Sequence, residues 1–251
     1  MSENIKVGRE GAVMTLGFSR PEKKNALTAE MYDALVQGFD DYMRDDEALV
    51  LVMHGTDDTY TAGNDLGNFL AAQAAEGEPA SLKLMKRIEA CDKPVIAAVE
   101  GWCVGIGATL LLHTDLVYMG RSAKLKMPFT ELGIVPEAGA SYLLTRRFGR
   151  QVAGEMLLLS DVVSAERAHG IGLCNAVTED GQALPRAMDA ARRLAQMSPT
   201  SVRMTKRLMR EAGELVPHME EEMRQVGERV RSDEMKERVA RMMAGGSRSA
   251  E

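Results

Sequence analysis

Apolar residues recur every four positions at Met31, Leu35, Phe39 and Met43, so AEMYDALVQGFDDYMRD predicts an amphipathic helix entered past Asn25 and Thr28. Ahead of it, Ile5–Val7, a turn at GREGA and the alternating run AVMTLGF predict a hairpin with a half-buried second strand. ALVLVMHG (48–55), KPVIAAVEG after Pro94, and DLVYMG are continuous apolar runs ending in glycine, the form of strands covered on both faces. A helix over 81–91 precedes the second of these strands, and VGIGATLLLHT is a glycine-opened helix after it. Strand–helix alternation across short loops predicts an α/β architecture. From Arg186 onward no strand pattern remains, and RAMDAARRLAQMS, PTSVRMTKRLMREAG and PHMEEEMRQVGERVRSDEMKERVARMMAG form three helical segments. The chain therefore divides into a core over 1–185 and a helical region over 186–251, whose methionines suit either a core or a subunit interface. AAQAAEGEPA (71–80) is small, polar and expected to be mobile, and the terminal GGSRSAE is expected to be disordered.

With 251 residues, 45% hydrophobic and 27% charged, the chain has the bulk for one sizeable α/β domain and an appendage. A net charge of −6 argues against nucleic acid as a partner, because phosphate backbones call for a basic surface. Cys91, Cys103 and Cys174 lie far apart without CxxC spacing, and His54, His113, His169 and His218 form no HxxxH pair. Buried thiols in a reducing compartment, structural histidines and no metal site are the expectation. MSENIKVGRE has no apolar signal core, and ATLLL (108–112) falls far short of the roughly 20 residues of a membrane span. A soluble, cytoplasmic protein with no membrane partner is expected.

Two buried strands are each followed by a loop of small residues, YTAGNDL (60–66) and GWCVGIGATL (101–110). Such loops let backbone N–H groups approach a ligand closely, and the second opens a helix. Neither carries GxGxxG or a Walker lysine, so neither is a phosphate signature. Each alone reads as a tight turn; two on neighbouring strands also form a pair of N–H donors suited to an oxyanion or enolate. A third stretch, GIVPEAGAS, sets Glu137 between Pro136 and small residues, beside apolar Leu132, Ile134 and Val135. A first-turn acid favoured by the dipole of a helix over AGASYLLTRRFG is one account of it.

The order and spacing of these stretches resemble the crotonase (enoyl-CoA hydratase/isomerase) superfamily. RPEKKNALTAEMYDAL is similar to that family's entry into its first helix, and YTAGNDL to its FSAGxDL loop. The segment from Lys93 to Gly149 follows the family's central stretch, and SAERAHGIGLCNAV and SPTSVRMTKRLMR match its later landmarks. The resemblance implies a spiral of ββα units, a helical trimerisation region, and an acyl-CoA thioester as substrate, with coenzyme A entering only as part of it. It implies a homotrimer or a dimer of trimers. It also implies an enolate held by the N–H groups of Asn64 and Ile106. The substrate-binding set it implies comprises Lys24, Ala26, Ala62, Gly63, Asp65, Leu66, Gly105, Thr109, Phe129 and Pro136. The backbone of Ala26 and Ala62 would face adenine and pantetheine, and Asp65 would brace its loop. Arg20, Lys23 or Lys24, and Lys206 or Arg207, could meet coenzyme A, the plain alternative being solvated charges.

Hydratases of the family add water with two glutamates, at positions occupied here by Thr109 and Phe129. Neither side chain works as a general acid or base near neutral pH, so efficient hydration is not expected. Glu137 falls where peroxisomal-type Δ3,Δ2-enoyl-CoA isomerases keep their glutamate, with Pro128-Phe129, Leu132-Gly133, Pro136 and Ser141 in the same register. The resemblance thus implies that Glu137 moves a proton from C2 to C4 of an enoyl-CoA. The alternatives are another reaction of the family, hydration or ring-opening isomerisation of an aromatic acyl-CoA, and a catalytically weak acyl-CoA binder.

Overall fold

The structure, a computed structural model, describes residues 2–56, 58–67, 78–209 and 214–246. Most of the stretch 71–80 and the end of GGSRSAE lie outside the described residues. The predicted hairpin is present as β1 (Ile5–Glu10) and β2 (Val13–Phe18), with a turn shorter than GREGA. Helix α1 (Ala29–Arg44) starts where Thr28 caps it, the threonine hydroxyl accepting from the Met31 N–H. The three apolar runs are β3 (Val50–His54), β5 (Val95–Val99) and β7 (Leu116–Gly120), which run parallel beside β2.

Three of the strands that the sequence reading did not predict build most of a second sheet. They are β4 (Thr59–Thr61), β6 (Trp102–Val104) and β8 (Lys124–Lys126), each three residues long and too short to display a period of two. Together with β9 (Val163–Ser164) they build a second sheet in the order β4-β6-β8-β9, next to a six-stranded sheet ordered β1-β2-β3-β5-β7-β10 (β10, Ala176–Thr178). The strands β3/β4, β5/β6 and β7/β8 each give one member to each sheet, and α2 (Ala80–Ala90), α3 (Ile106–Leu110) and α4 (Ala140–Phe148) follow them.

The continuous apolar runs divide between two cores by strand alternation. Leu51, Met53, Val95, Ala97 and Val99 face the larger core with α1 and α2. Val50, Val52, Ile96 and Ala98 face α7 (Ala183–Ala195) through Ala183, Ala187, Met188, Ala190 and Ala191. Between α4 and α7 stand α5 (Arg150–Leu157) and α6 (Ala165–Gly170). Among the described residues the C-terminal helices number four, not three: α7, α8 (Pro199–Met209), α9 (Leu215–Val230) and α10 (Asp233–Gly246). The last expected segment breaks at Ser232, whose hydroxyl accepts from the Met235 N–H and caps a new helix. Met219, Val226, Val230, Met235 and Val239 return α9 and α10 to the larger core. All three cysteines are buried, free thiols.

One glycine fixes how the two sheets meet. Gly101, between β5 and β6, has φ +55°, and a Cβ there would lie 1.4 Å from the Asp58 carbonyl oxygen just ahead of β4. Gly101→Ala should cost at least about 2 kcal/mol, a fall in Tm of roughly 4–8 °C. Gly11→Ala, with φ +57° and nothing within 4 Å of the added carbon, carries only the backbone cost and serves as the control in the same thermal melts.

Candidate active site

The parallel strands β4, β6 and β8 end side by side, and the residues after each form one wall of a common cavity. β4 leads into Ala62, Gly63, Asn64 and Leu66, β6 into Gly105 and Ile106, and β8 into the segment from Pro128 to Glu137. Gly63 is required at its place: φ is +90° and an added Cβ would stand 2.9 Å from the Val104 carbonyl. Its N–H donates to Thr61 Oγ1 (3.1 Å), and that hydroxyl donates to the Asn25 carbonyl (2.6 Å). The cavity encloses about 170 Å³, and its wall is mostly apolar, with Leu66, Phe129, Leu132, Ile134 and Met242.

Two features of this wall carry chemistry. The backbone N–H groups of Asn64 and Ile106 donate to no acceptor among the described residues, although the N–H of Asp65 and the carbonyl of Gly63 are both paired with Leu27. Glu137 is 3% exposed, and no donor among the described residues reaches its carboxylate. Burial, and secondarily the charge of Glu222, push its carboxyl up from 4.5 to about 7. Glu137 does not stand in the first turn of a helix, as the dipole account supposes. It precedes Ala138 (φ +58°) and the N-cap Gly139, outside α4.

Of the residues singled out in the sequence, Ala62, Gly63, Asn64, Leu66, Gly105, Ile106, Phe129 and Glu137 come together around the cavity, and Thr109, Pro136, Asp65, Ala26 and Lys24 do not line it. Thr109 is fully buried and donates to the Ile106 carbonyl at 3.2 Å. Asp65 accepts from Arg20 at 2.9 Å, and Arg20 also donates to the Ala26 carbonyl. The Lys24 carbonyl accepts from the Ala62 N–H (2.9 Å), and Lys24 lines a separate cavity with Asn25, Thr59 and Trp102. Lys206 is neither solvated nor at this site: it is buried, with Asp115 at 2.6 Å and the Lys93 carbonyl at 2.8 Å. Arg207 pairs with Asp92.

Three residues that sequence reading passed over, Met242, Tyr32 and Glu222, belong to the surroundings of the cavity, as does His113, expected to be structural. Met242 reaches it from α10. The Tyr32 hydroxyl donates to the Asn64 side-chain carbonyl, and burial, then the Glu137 charge, raises its pKa well above the ordinary value. His113, whose side chain is fully buried, holds the Ala138 carbonyl through Nε2 (2.6 Å) and Glu89 through Nδ1 (2.6 Å). Glu222 accepts from Gly139 and Ser141. It did carry a signal, since it falls among Met219, Met223, Val226 and Val230 on the buried stripe of α9.

Residues 8–242 match the enoyl-CoA hydratase/isomerase family profile. Enoyl-CoA delta isomerase 2 of Rattus norvegicus is 34% identical over 83% of this chain, and the chain spans about half (55%) of that relative. The 1,2-epoxyphenylacetyl-CoA isomerase of Escherichia coli is 36% identical over 78% of this chain and 77% of its own length. Enoyl-CoA hydratases match over similar lengths. The structure of OdaA from Pseudomonas aeruginosa superposes with a TM-score of 0.94 at 41% identity, over 96% of this chain and 99% of that one. No helix among the described residues is long and apolar enough to cross a membrane, and none of their His, Cys, Asp and Glu side chains cluster to hold a metal ion.

Proposed function

This chain belongs to the enoyl-CoA hydratase/isomerase family, and we propose that within it the chain is a Δ3,Δ2-enoyl-CoA isomerase with Glu137 as its only proton shuttle. The observation that carries this reading is a buried, unpartnered carboxylate on the same cavity wall as two unpaired backbone N–H groups. In the proposed step Glu137 takes a proton from C2 of the 3-enoyl thioester. The electron pair moves onto the thioester oxygen, held as an enolate by the N–H groups of Asn64 and Ile106. The same carboxyl returns the proton at C4 as the C3–C4 double bond shifts to C2–C3. One base suffices, because it delivers what it removed. A carboxyl lifted to about 7 is a stronger base than an ordinary carboxylate and is still ionised in a large fraction of molecules near neutral pH.

Hydration would need a second acid–base group near the cavity. Phe129 forms part of the wall, and Thr109 is bonded back to its own helix, so neither supplies one. We further read the exposed Met204, Leu208 and Met209 of α8 as covered by a second copy in a homotrimer or dimer of trimers. Purified protein should convert 3-enoyl-CoA to 2-enoyl-CoA and sediment as three or six chains. It should hydrate crotonyl-CoA far below the roughly 10 per second of a typical enzyme. Hydration at that rate without isomerisation would overturn the assignment, as would turnover of an aromatic acyl-CoA alone.

A further inference from the structure

The turn that carries Glu137 does not hold itself. Ala138 has φ +58°, a left-handed conformation unfavourable for a residue with a Cβ, and Gly139 follows at +71°. Gly139 is the N-cap of α4 and has no side chain with which to cap it, so the first N–H groups of the helix need an acceptor from elsewhere. That acceptor comes from α9, more than eighty residues along the chain. Glu222 Oε2 accepts from the Gly139 N–H at 2.5 Å, and Oε1 accepts from the Ser141 N–H (3.1 Å) and the Ser141 hydroxyl (2.5 Å). From the other side His113 Nε2 meets the Ala138 carbonyl.

We propose that Glu222 is a positioning residue for the shuttle: its carboxylate ties the 138–141 turn to α9 and so keeps the Glu137 side chain on the cavity wall. The proposal rests on Glu137 being the base. Glu222 is 6% exposed and lines no part of the cavity, so it acts only through the turn and through its charge. A carboxylate this deeply buried is unfavourable without donors, and all three that the turn supplies are within four residues of Glu137. The titratable groups around it are His218 on its own helix, with Nε2 at 3.3 Å, and Glu137, which Tyr32 also faces. His113 and Glu89 stand on the far side of the turn, and burial raises the Glu222 carboxyl against the pull of its donors. Because the Glu222 charge is one of the two causes that raise the Glu137 carboxyl, the arrangement also has a signature in pH.

Glu222→Gln tests both. An amide accepts through one oxygen only and sets its NH2 against a backbone N–H, so the turn loosens and the charge is lost together. We expect kcat to fall roughly 10- to 100-fold, the scale of a misplaced catalytic group, with KM nearly unchanged. The acidic limb of the pH profile should move to lower pH. Glu222→Asp keeps the charge but not the reach, so kcat should fall while the limb stays. Ser141→Ala, which removes the hydroxyl's contacts with Glu222 and His218 but leaves both backbone donors, should lower kcat in the same direction with a smaller fall in Tm than Glu222→Gln. Wild-type kcat and an unmoved limb in Glu222→Gln, or wild-type kcat in Ser141→Ala, would overturn the proposal while Glu137→Gln remains inactive. An active Glu137→Gln would instead sink the base assignment on which it rests.

Discussion

Glu137→Gln should slow isomerisation by roughly 10²- to 10⁴-fold, the usual worth of a positioned general base. The amide keeps the shape of the side chain but cannot accept the C2 proton, and acyl-CoA affinity should barely change. Stability should respond as well, with a definite sign. The folded-state pKa of about 7 lies above the ordinary 4.5, so between those values the folded chain binds more protons than the unfolded one. Stability from this group is therefore present at low pH, lost as pH rises from about 4.5 to 7, and constant above. The mutant does not pay this penalty. Its stability relative to wild type should grow between pH 5 and pH 8 by up to about 3 kcal/mol, on top of a constant cost for the unpartnered amide that does not vary with pH. In wild type, activity should rise with pH through about 7, since only the ionised carboxylate is a base. Full activity in Glu137→Gln would show that this carboxyl is not the base, and a stability difference flat with pH would show that it is not a buried acid of raised pKa.

What could be read from the residues follows the length of each periodicity. α1 spans four turns with apolar residues on one stripe, and β3, β5 and β7 each run apolar for at least four residues, so tertiary context had little left to decide. β4, β6 and β8 are three residues long, and it is the pairing of Cys103 with Thr61 and Leu125 that makes them strands. The two glycine loops were legible as donors because small residues are conspicuous beside apolar runs. That they face a common cavity with Glu137 depends on the second sheet, which no local pattern announces. Glu137 stood out as an acid in an apolar setting, but its partners did not. Glu222, His113 and Met242 arrive from elements remote in the chain, and only the spacing of Glu222 within α9 hinted that an acid was turned inward. Lys206 misled for the same reason: a lysine on a charged helix reads as solvated until Asp115 at the start of β7 is brought against it. The break at Ser232 was visible in principle, since Ser-Asp-Glu is a helix-start signature inside an otherwise helical run.

Ile106→Pro should remove one of the two proposed enolate donors while leaving the helix in place. Ile106 is the first residue of α3, after the N-cap Gly105, and proline is tolerated at that position because its N–H has no intrahelical acceptor. The substitution deletes a single hydrogen-bond donor and trims a side chain that is 1% exposed. Loss of one such donor costs about 10²- to 10³-fold in kcat. Because the N–H is most needed when charge reaches the thioester oxygen, kcat and kcat/KM should fall together, and acyl-CoA binding should hold. Ile106→Val keeps the N–H and removes one methylene, so it reports the packing cost alone, about 0.5–1.5 kcal/mol in stability and little in rate. If Ile106→Pro folds, as judged by circular dichroism and its melting curve, and turns over within a few-fold of Ile106→Val, the enolate is not held at this N–H. The charge would then have to be borne elsewhere on the wall, where the Asn64 side chain, held by Tyr32, is one polar group. A fall of two orders of magnitude confined to the proline variant would tie the rate to one backbone hydrogen at the end of β6.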